Sequence, residues 1–461
     1  MKRILALIVF FTALVANAQF TIKGTMLPPD KSDWVILYKI EGAKQKFITN
    51  STTKIESVNV GGQSQKVGRF ELQLPANAPV GAYRVTYRDR GAGFVDFLFN
   101  KENIEFVFNP EVPDQSIVFT KSLENRVYRE YLEALALSEA KIEASQMSYI
   151  TTKDKKTKKE YSDAIDGLED VQGIYENKSK GMLAYNFIKS SKKSHPSSPF
   201  ENVQDYANSA IGGYLDNIDF KNKELFNSSF LIDNIADYVF FLNTAETQTM
   251  QQDLYKKSIG KVMEKVSVKP ALEKEVGEFL IEKFTDARNS EIVDLLFANY
   301  YDKLSPSLKD PKLKPEKMAL LRASVGRTAP DFSWKEYGKP MSLSALKDGD
   351  NYLLVFWSTT CSHCLEEIPE LYKFMRNYPK TSVVAFGIEQ EEFEWNEYTK
   401  KLYGWHNVMG THPENKWDNE TVRTYQLVGT PSYFILDKNK KIIATPNSFK
   451  DVKEYMANST K

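Results

Sequence analysis

The sequence predicts a multidomain protein with an N-terminal antiparallel β-sandwich, a central α-helical region and a C-terminal α/β domain. Short alternating runs between turn residues fill roughly the first hundred residues, and helical stripes follow them. A continuous apolar run, typical of a strand buried under helices, then appears at Tyr352. The chain of 461 residues is long enough for roughly two to four domains with their own cores.

The first 18 residues have the three parts of a secretory signal peptide. The charged start Met1-Lys2-Arg3 precedes an apolar run over residues 4–16, and small residues flank Asn17. We expect cleavage after Ala18, which predicts a mature protein in the periplasm or cell envelope with no stable membrane span. A membrane anchor is the alternative, but the run is shorter than the roughly 20 residues that a spanning helix needs.

Charge and cysteine content exclude several classes of protein. Lysine plus arginine and aspartate plus glutamate each total 61, so no long-range field would gather nucleic acid or an anionic membrane. We therefore expect no nucleic-acid partner. An exported chain with only two cysteines does not use disulfides as a scaffold, which leaves the pair free for chemistry.

Residues 19–112 are predicted to form the sandwich-like module. Apolar and polar residues alternate in Phe70-Glu71-Leu72-Gln73-Leu74, and similar runs start at Trp34 and Tyr83. Proline and glycine turns separate these runs, as in a small antiparallel sandwich. We expect no catalytic residue here.

Residues 120–303 are predicted to be a helical domain, in which Ser122 is a candidate N-cap for the first helix. A second helical stripe begins at Leu272. Three prolines and several lysines mark a linker over residues 304–318, and the last domain is expected at 319–461.

Both cysteines follow the apolar run that starts at Tyr352. Behind the run the apolar period becomes helical, so Cys361 and Cys364 are predicted to lie on the first turn of a helix. Free backbone N–H groups and the positive end of the helix dipole then favour a thiolate at Cys361. Cysteines in such positions have pKa values of roughly 3.5–7.5.

Two other interpretations of the cysteine pair have less support from the sequence. A structural disulfide between residues three apart closes a very small loop, and the stability that it would add grows with loop length. A structural zinc ion wants about four ligands, and no second cysteine pair exists to complete such a site. We therefore predict a redox dithiol and no metal.

The C-terminal part resembles the thioredoxin superfamily, in particular bacterial envelope thiol–disulfide oxidoreductases of the TlpA/ResA type. The resemblance covers about 140 residues. It depends on Gly326-Arg327-Thr328-Ala329-Pro330-Asp331-Phe332, Phe356-Trp357, Cys361-Ser362-His363-Cys364, Glu367, Pro369 and Gly429-Thr430-Pro431. It implies a thioredoxin-like fold, with a redox-active Cys361–Cys364 disulfide in place of any bound cofactor.

The resemblance also implies roles for the residues of the motif. Cys361 would attack the substrate disulfide, and Cys364 would resolve the mixed disulfide. Glu367 matches the glutamate of the family pattern Cys-x-x-Cys-x-x-Glu-x-Pro, which helps to move the proton of the second thiol. His363 and Ser362 lie between the cysteines, where residues tune the reduction potential. An exposed histidine with no such effect is the alternative for His363.

Four further residues are expected to bind substrate. Thr430 and Pro431 match the superfamily's cis-proline loop, which would offer the Thr430 backbone to an extended substrate. Trp357 and Thr360 are expected to form the rim around Cys361. Thr360 departs from the tryptophan that the family commonly has at this position. His406 and His412 are assigned no role.

The resulting functional hypothesis is an exported thiol–disulfide oxidoreductase acting on the thiols and disulfides of envelope proteins, with a membrane electron donor as a further expected partner. A peroxiredoxin-like thiol peroxidase is one alternative, because that class shares the segment Ala329-Pro330-Asp331-Phe332 at the start of the domain. However, the proline of the peroxidatic loop would fall at Leu354. A surface binding module with an accessory thioredoxin-like domain is the other alternative.

Overall fold

The computed structural model describes residues 19–60, 62–88 and 93–459. The chain divides into two compact units, the first ending at Glu275 and the second beginning at Val276. The predicted signal peptide, with its cleavage after Ala18, lies outside the described residues. No helix in the described ranges combines the length and apolar character that crossing a bilayer requires.

The first unit begins with nine strands in two sheets. In the order of the chain they are β1 Gln19–Met26, β2 Trp34–Glu41, β3 Lys44–Thr52, β4 Lys54–Val60, β5 Gln63–Pro75, β6 Gly81–Thr86, β7 Phe94–Phe99, β8 Ile104–Phe108 and β9 Val118–Lys121. The sheet orders are β4-β5-β1-β8-β9 and β3-β2-β6-β7. Phe70, Leu72 and Leu74 of β5 are buried and alternate with exposed residues, as the sequence predicted. Both sheets contribute residues to one hydrophobic core.

The prediction that this region is rich in strands is confirmed. The prediction that its strands pair only in the antiparallel direction is wrong. β1 pairs with β8 in parallel, from Ile22 opposite Ile104 to Met26 opposite Phe108. A short hairpin makes consecutive strands antiparallel, whereas β1 and β8 are far apart in the chain. The direction of such a pair is therefore not set by local sequence pattern. The sandwich arrangement itself stays a prediction.

Helices make up the rest of the first unit. They are α1 Pro113–Ser116, α2 Leu123–Thr152, α3 Lys155–Lys178, α4 Ala184–Ser191, α5 Val203–Gly213, α6 Lys223–Phe226, α7 Phe230–Ala236 and α8 Gln248–Val266, with a π-helical turn over Asp237–Leu242. Ser122 caps α2, because its hydroxyl accepts the Asn125 N–H at 3.1 Å. The helix α9 Pro270–Asp286 spans the division between the units.

The second unit contains a five-stranded mixed sheet. The elements of the second unit are, in chain order, α10 Ser290–Asn299, α11 Leu313–Leu320, β10 Ser333–Glu336, β11 Lys339–Ser342, β12 Asn351–Trp357, α12 Ser362–Met375, β13 Thr381–Glu389, α13 Phe393–Thr399, β14 His406–Thr411, α14 Glu420–Tyr425, β15 Ser432–Asp437, β16 Ile442–Ala444 and α15 Phe449–Ser459. Short 3-10 turns cover Tyr301–Lys303 and Lys416–Asp418. The sheet order is β14-β13-β12-β15-β16. α10 and α11 belong to this unit, although the sequence placed residues 120–303 in one helical domain and a linker at 304–318.

The central strand β12 is buried on both faces, as its continuous apolar run predicted. Leu354 and Phe356 pack into the core on one side of the sheet, while Leu353 and Val355 pack on the other. β12 is parallel to β13 and antiparallel to β15. Thus β12 and its neighbours form the rigid platform from which the segment after Trp357 emerges.

A histidine between two carboxylates ties peripheral elements to the edge strand β14. His406 Nδ1 lies 2.8 Å from Glu336 of β10, and His406 Nε2 lies 2.8 Å from Asp348 in the loop before β12. Burial lowers the pKa of His406, but the hydrogen bonds and charges of the two carboxylates outweigh it, and the net shift is upward. Glu336 and Asp348 are far from His406 in the chain, so no local sequence pattern indicates this contact.

We expect His406→Gln to reduce the free energy of unfolding of the second unit by about 1–3 kcal/mol at pH 6, since hydrogen bonds between charged partners are lost. Because the folded pKa of His406 is raised, its contribution is full below the unfolded value of about 6.5 and is lost as pH rises through the folded pKa. The difference between the proteins should therefore shrink at alkaline pH.

Urea unfolding followed by tryptophan fluorescence measures this effect, because Trp334, Trp357, Trp395, Trp405 and Trp417 all lie in the second unit, against one tryptophan in the first. His412→Gln is the matched control, since it removes a histidine from the same region. A difference that stays constant from pH 6 to pH 9 would contradict the proposed ion-pair contribution.

Candidate active site

The segment between β12 and α12 places Cys361 at the start of a helix. Cys361 is the N-cap residue of α12, with φ −103° and ψ 114°, and its Sγ accepts the Cys364 N–H at 3.3 Å. An N-cap side chain normally satisfies one of the free N–H groups of the first turn. Here a sulfur atom does so, and negative charge on that sulfur is favoured by the helix end.

The surroundings of Cys361 favour its thiolate. Its side chain is half-buried, and in the neutral form its thiol donates to the Thr430 carbonyl oxygen at 3.3 Å. Burial alone would raise the pKa of Cys361. Hydrogen bonds with the Cys364 and Thr430 side chains, and with the backbone N–H groups of Cys364 and His363, outweigh burial and lower that pKa.

Cys364 has the opposite environment. Its side chain is fully buried among the core residues on the α12 side of the sheet. Burial, together with the hydrogen bond and charge of Cys361, raises the pKa of Cys364 to about 12. Both cysteines are free thiols. The pair therefore combines one accessible, acidic thiol with one protected, weakly acidic thiol.

The loop before β15 meets the cysteines from the other side. The Thr430–Pro431 peptide bond is cis, and it immediately precedes β15. The structure thus brings Thr430 to Cys361, although 69 residues separate them in the chain. The Ser432 hydroxyl donates to the Gly429 carbonyl at 2.8 Å and closes this loop.

Glu367 lies one turn beyond Cys364 on α12 and is half-buried. Its Oε2 accepts a hydrogen bond from the Tyr433 hydroxyl at 2.6 Å. Burial first, and then the contact with Glu367, raise the pKa of the Tyr433 phenol, so that Tyr433 stays a neutral donor. The Glu367 side chain is therefore held by β15, the strand that follows Pro431.

Trp357 does not form a rim around Cys361, contrary to the sequence prediction. Its side chain is 0% exposed and packs against Tyr398 with ring centroids 5.1 Å apart. The reason is that Trp357 is the last residue of a strand covered on both faces. Thr360 is exposed, as a rim residue would be. Ser362 and His363 are also exposed, on the first turn of α12.

Three polar residues that meet at the turn before Cys361 were not predicted from the sequence. The Ser358 hydroxyl donates to Glu389 Oε2 at 3.2 Å, and Lys416 Nζ donates to Ser358 at 2.8 Å. Glu389 is the last residue of β13 and follows the apolar run 383–388 directly, which is a signal that the sequence carries. Nothing in the sequence connects Lys416 to this turn.

Parts of the chain are similar to known proteins. The AhpC/TSA family model matches residues 325–445. The thiol-disulfide oxidoreductase ResA of Bacillus thuringiensis is 27% identical over 131 residues, which are 28% of this chain and 70% of the relative. The thioredoxin-like protein YneN of Bacillus subtilis is 41% identical over 69 residues, which are 14% of this chain and 40% of the relative.

Solved structures also align with this chain. A domain of a possible thiol-disulfide isomerase from Cytophaga hutchinsonii has 28% identity and a TM-score of 0.26, covering 30% of this chain and 92% of that one. A thioredoxin-like protein from Bacteroides caccae has 17% identity and a TM-score of 0.39, covering 58% of this chain and 98% of that one.

The C-terminal domain is a thioredoxin-superfamily domain. It is of the TlpA/ResA type, as the sequence resemblance implied, and the enzyme class predicted from the sequence, a thiol–disulfide oxidoreductase, is confirmed by the relatives and the family match.

The contrast between the two thiols makes a testable prediction. At pH 7 we expect iodoacetamide to modify Cys361 at least roughly tenfold faster than Cys364, because thiolate fraction and exposure control the rate. Quenched samples analysed by peptide mass spectrometry report both rates. The same reaction in urea is the control, since unfolding should make the two cysteines similarly reactive. Equal rates in the folded protein would contradict the assigned environments.

Proposed function

We propose that this protein is an exported thiol–disulfide oxidoreductase that exchanges disulfides with envelope proteins through Cys361 and Cys364. The observation that carries the proposal is the half-buried Cys361 at the start of α12, beside the Thr430 carbonyl and above the buried Cys364. This arrangement supplies an accessible nucleophile, a backbone group for a bound polypeptide and a second thiol within reach.

The first step is attack by the Cys361 thiolate on a substrate disulfide. A bond forms between Cys361 Sγ and one substrate sulfur, the substrate S–S bond breaks, and the other substrate sulfur leaves as a thiolate that takes up a proton. The exposed first turn of α12 and the Thr430 backbone would flank the substrate. His363 and Ser362, both exposed there, are proposed to tune the reduction potential.

The second step resolves the mixed disulfide. Cys364 attacks Cys361 Sγ, the second substrate thiolate leaves and is protonated, and the Cys361–Cys364 disulfide forms as two electrons pass to the substrate. Burial, the largest cause of the raised pKa of Cys364, also favours the protonated thiol in the mixed disulfide, so this step requires a base. Glu367, one turn away, is proposed to accept that proton while Tyr433 holds it in place.

Turnover as a reductase requires a donor that returns two electrons to the Cys361–Cys364 disulfide. We propose a membrane dithiol or other membrane electron carrier, which accords with a secretory signal peptide in residues 1–18. Periplasmic or envelope location is part of the same proposal.

A thiol peroxidase is the second candidate, favoured by the AhpC/TSA match over residues 325–445. One observation argues against a peroxidase. Where the peroxidatic loop of that class has a proline, this chain has Leu354, which lies in the buried strand β12. Hydrogen peroxide consumption that is coupled to a dithiol reductant and exceeds insulin reduction in rate would favour the peroxidase.

Cysteine variants test the proposed exchange. We expect the protein to catalyse insulin reduction by dithiothreitol, Cys361→Ser to abolish catalysis, and Cys364→Ser to accumulate a mixed disulfide because resolution is blocked. Insulin turbidity measures turnover, and non-reducing electrophoresis detects the trapped complex. The double Cys361→Ser, Cys364→Ser variant is the blank. Full activity in that blank would rule out the proposed function.

Removing the Glu367 carboxylate should impair resolution. We expect Glu367→Gln to lower turnover by about 10²-fold or more, as loss of a general base does, and the mixed disulfide to persist longer. Stopped-flow measurement across pH 6–9 separates attack from resolution. Glu366→Gln is the matched control, because Glu366 is exposed on the neighbouring position of α12. Equal resolution rates in the two variants would remove Glu367 from the mechanism.

A further inference from the structure

Ser358 contacts both cysteines through its main chain. It lies in the turn between β12 and α12, and it is fully buried. Its carbonyl accepts the Cys361 N–H at 3.2 Å, and its own backbone N–H hydrogen-bonds the Cys364 sulfur. A shift of Ser358 would therefore move the hydrogen bonds of the nucleophile and of the resolving thiol together.

The Ser358 hydroxyl links this turn to two charged side chains. It donates to Glu389 at 3.2 Å and accepts from Lys416 Nζ at 2.8 Å. The second Glu389 oxygen accepts the Thr359 N–H at 2.6 Å, while Lys416 also donates to Thr360 Oγ1 at 2.6 Å. Three consecutive residues before the nucleophile are thus held by a carboxylate on one side and an ammonium group on the other.

Packing does not account for this network. Glu389 is 2% exposed at the end of β13, after a run of buried residues, and removing a charged group from water is unfavourable until its partners compensate. Apolar side chains of similar volume would often be as stable or more stable at such a site. A buried carboxylate that holds the turn before a reactive thiol is therefore a functional candidate.

We propose that Glu389 and Lys416 are positioning residues that set the reactivity of the Cys361 thiol. They hold the turn at Ser358, and they place opposite charges next to this turn. This inference rests on the proposed function and adds residues that regulate its nucleophile. The Lys416 ammonium favours the Cys361 thiolate, and the Glu389 carboxylate opposes it. Removing one charge should therefore shift thiol reactivity in the direction opposite to removing the other.

Other titratable groups near Cys361 are the same in every variant of the test. They are His363 and Glu367 on α12, Tyr398 on α13 and Tyr433 on β15, while Cys364 is replaced by serine throughout. Because these groups are common to every variant, a difference between variants reports the charge that was removed.

The test measures the pKa of Cys361 directly. The chain has two cysteines, so the full chain with Cys364→Ser carries a single thiol whose alkylation by iodoacetamide can be followed against pH. In that background we expect Lys416→Met to raise the pKa of Cys361 by about half a unit or more, and Glu389→Gln to lower it by a similar amount. The double variant should return close to the parent.

Matched controls remove the same charges elsewhere in the unit. Glu391→Gln changes an exposed carboxylate two residues beyond Glu389, and Lys380→Met changes an exposed lysine just before β13, at its opposite end. The inference is overturned if Lys416→Met shifts the pKa no more than Lys380→Met, or if Lys416→Met and Glu389→Gln shift it in the same direction. Should Glu389→Gln fail to fold, the comparison of the two lysine variants decides.

Insulin reduction by the chain with both cysteines is measured separately, so the two failures are distinguishable. Catalysis with an unshifted thiol pKa overturns this inference and leaves the proposed function standing. Absence of catalysis in the parent, with the pKa shifts as expected, overturns the proposed function and leaves the control of the thiol standing.

Discussion

The hydrogen bond from the Cys364 N–H to Cys361 Sγ is the contact on which the candidate site depends. It makes a sulfur atom the cap of α12, and so places Cys361 at the positive end of a helix, with Cys364 on the first turn. This geometry requires that α12 begin directly after a rigid support. The fully buried strand β12 provides that support, since its side chains are packed on both faces of the sheet.

The two thiols differ because the sheet and its loops desolvate them unequally. Cys364 points into the core on the α12 side, where an ionised sulfur would lose its hydration without compensation. Cys361 stays half-exposed and receives hydrogen bonds that stabilise its charge. An accessible, acidic thiol and a protected, weakly acidic thiol thus arise from the same residue type, three positions apart. In the proposed mechanism, a proton acceptor such as Glu367 is therefore needed only for the second thiol.

The predictions from sequence succeeded where the determining interactions are local. The apolar run at Tyr352, the helical period behind Cys361 and the Gly429-Thr430-Pro431 loop each carry their signal within a few residues. Prediction failed where partners come from distant segments. Trp357 was assigned to a rim but is core, β1 and β8 are parallel, and the contacts of His406 were missed.

By itself, then, the sequence determined the chemistry that is available: a cysteine pair spaced for exchange, at the junction of a strand and a helix. Only the tertiary structure decided which groups surround that pair. Thr430 reaches Cys361 from 69 residues away, and Glu389 and Lys416 meet at Ser358 from separate elements. The physical reason is that hydrophobic periodicity and helix capping depend on residues close together in the chain. Burial and charge act through space, between residues that only the folded sheet brings together.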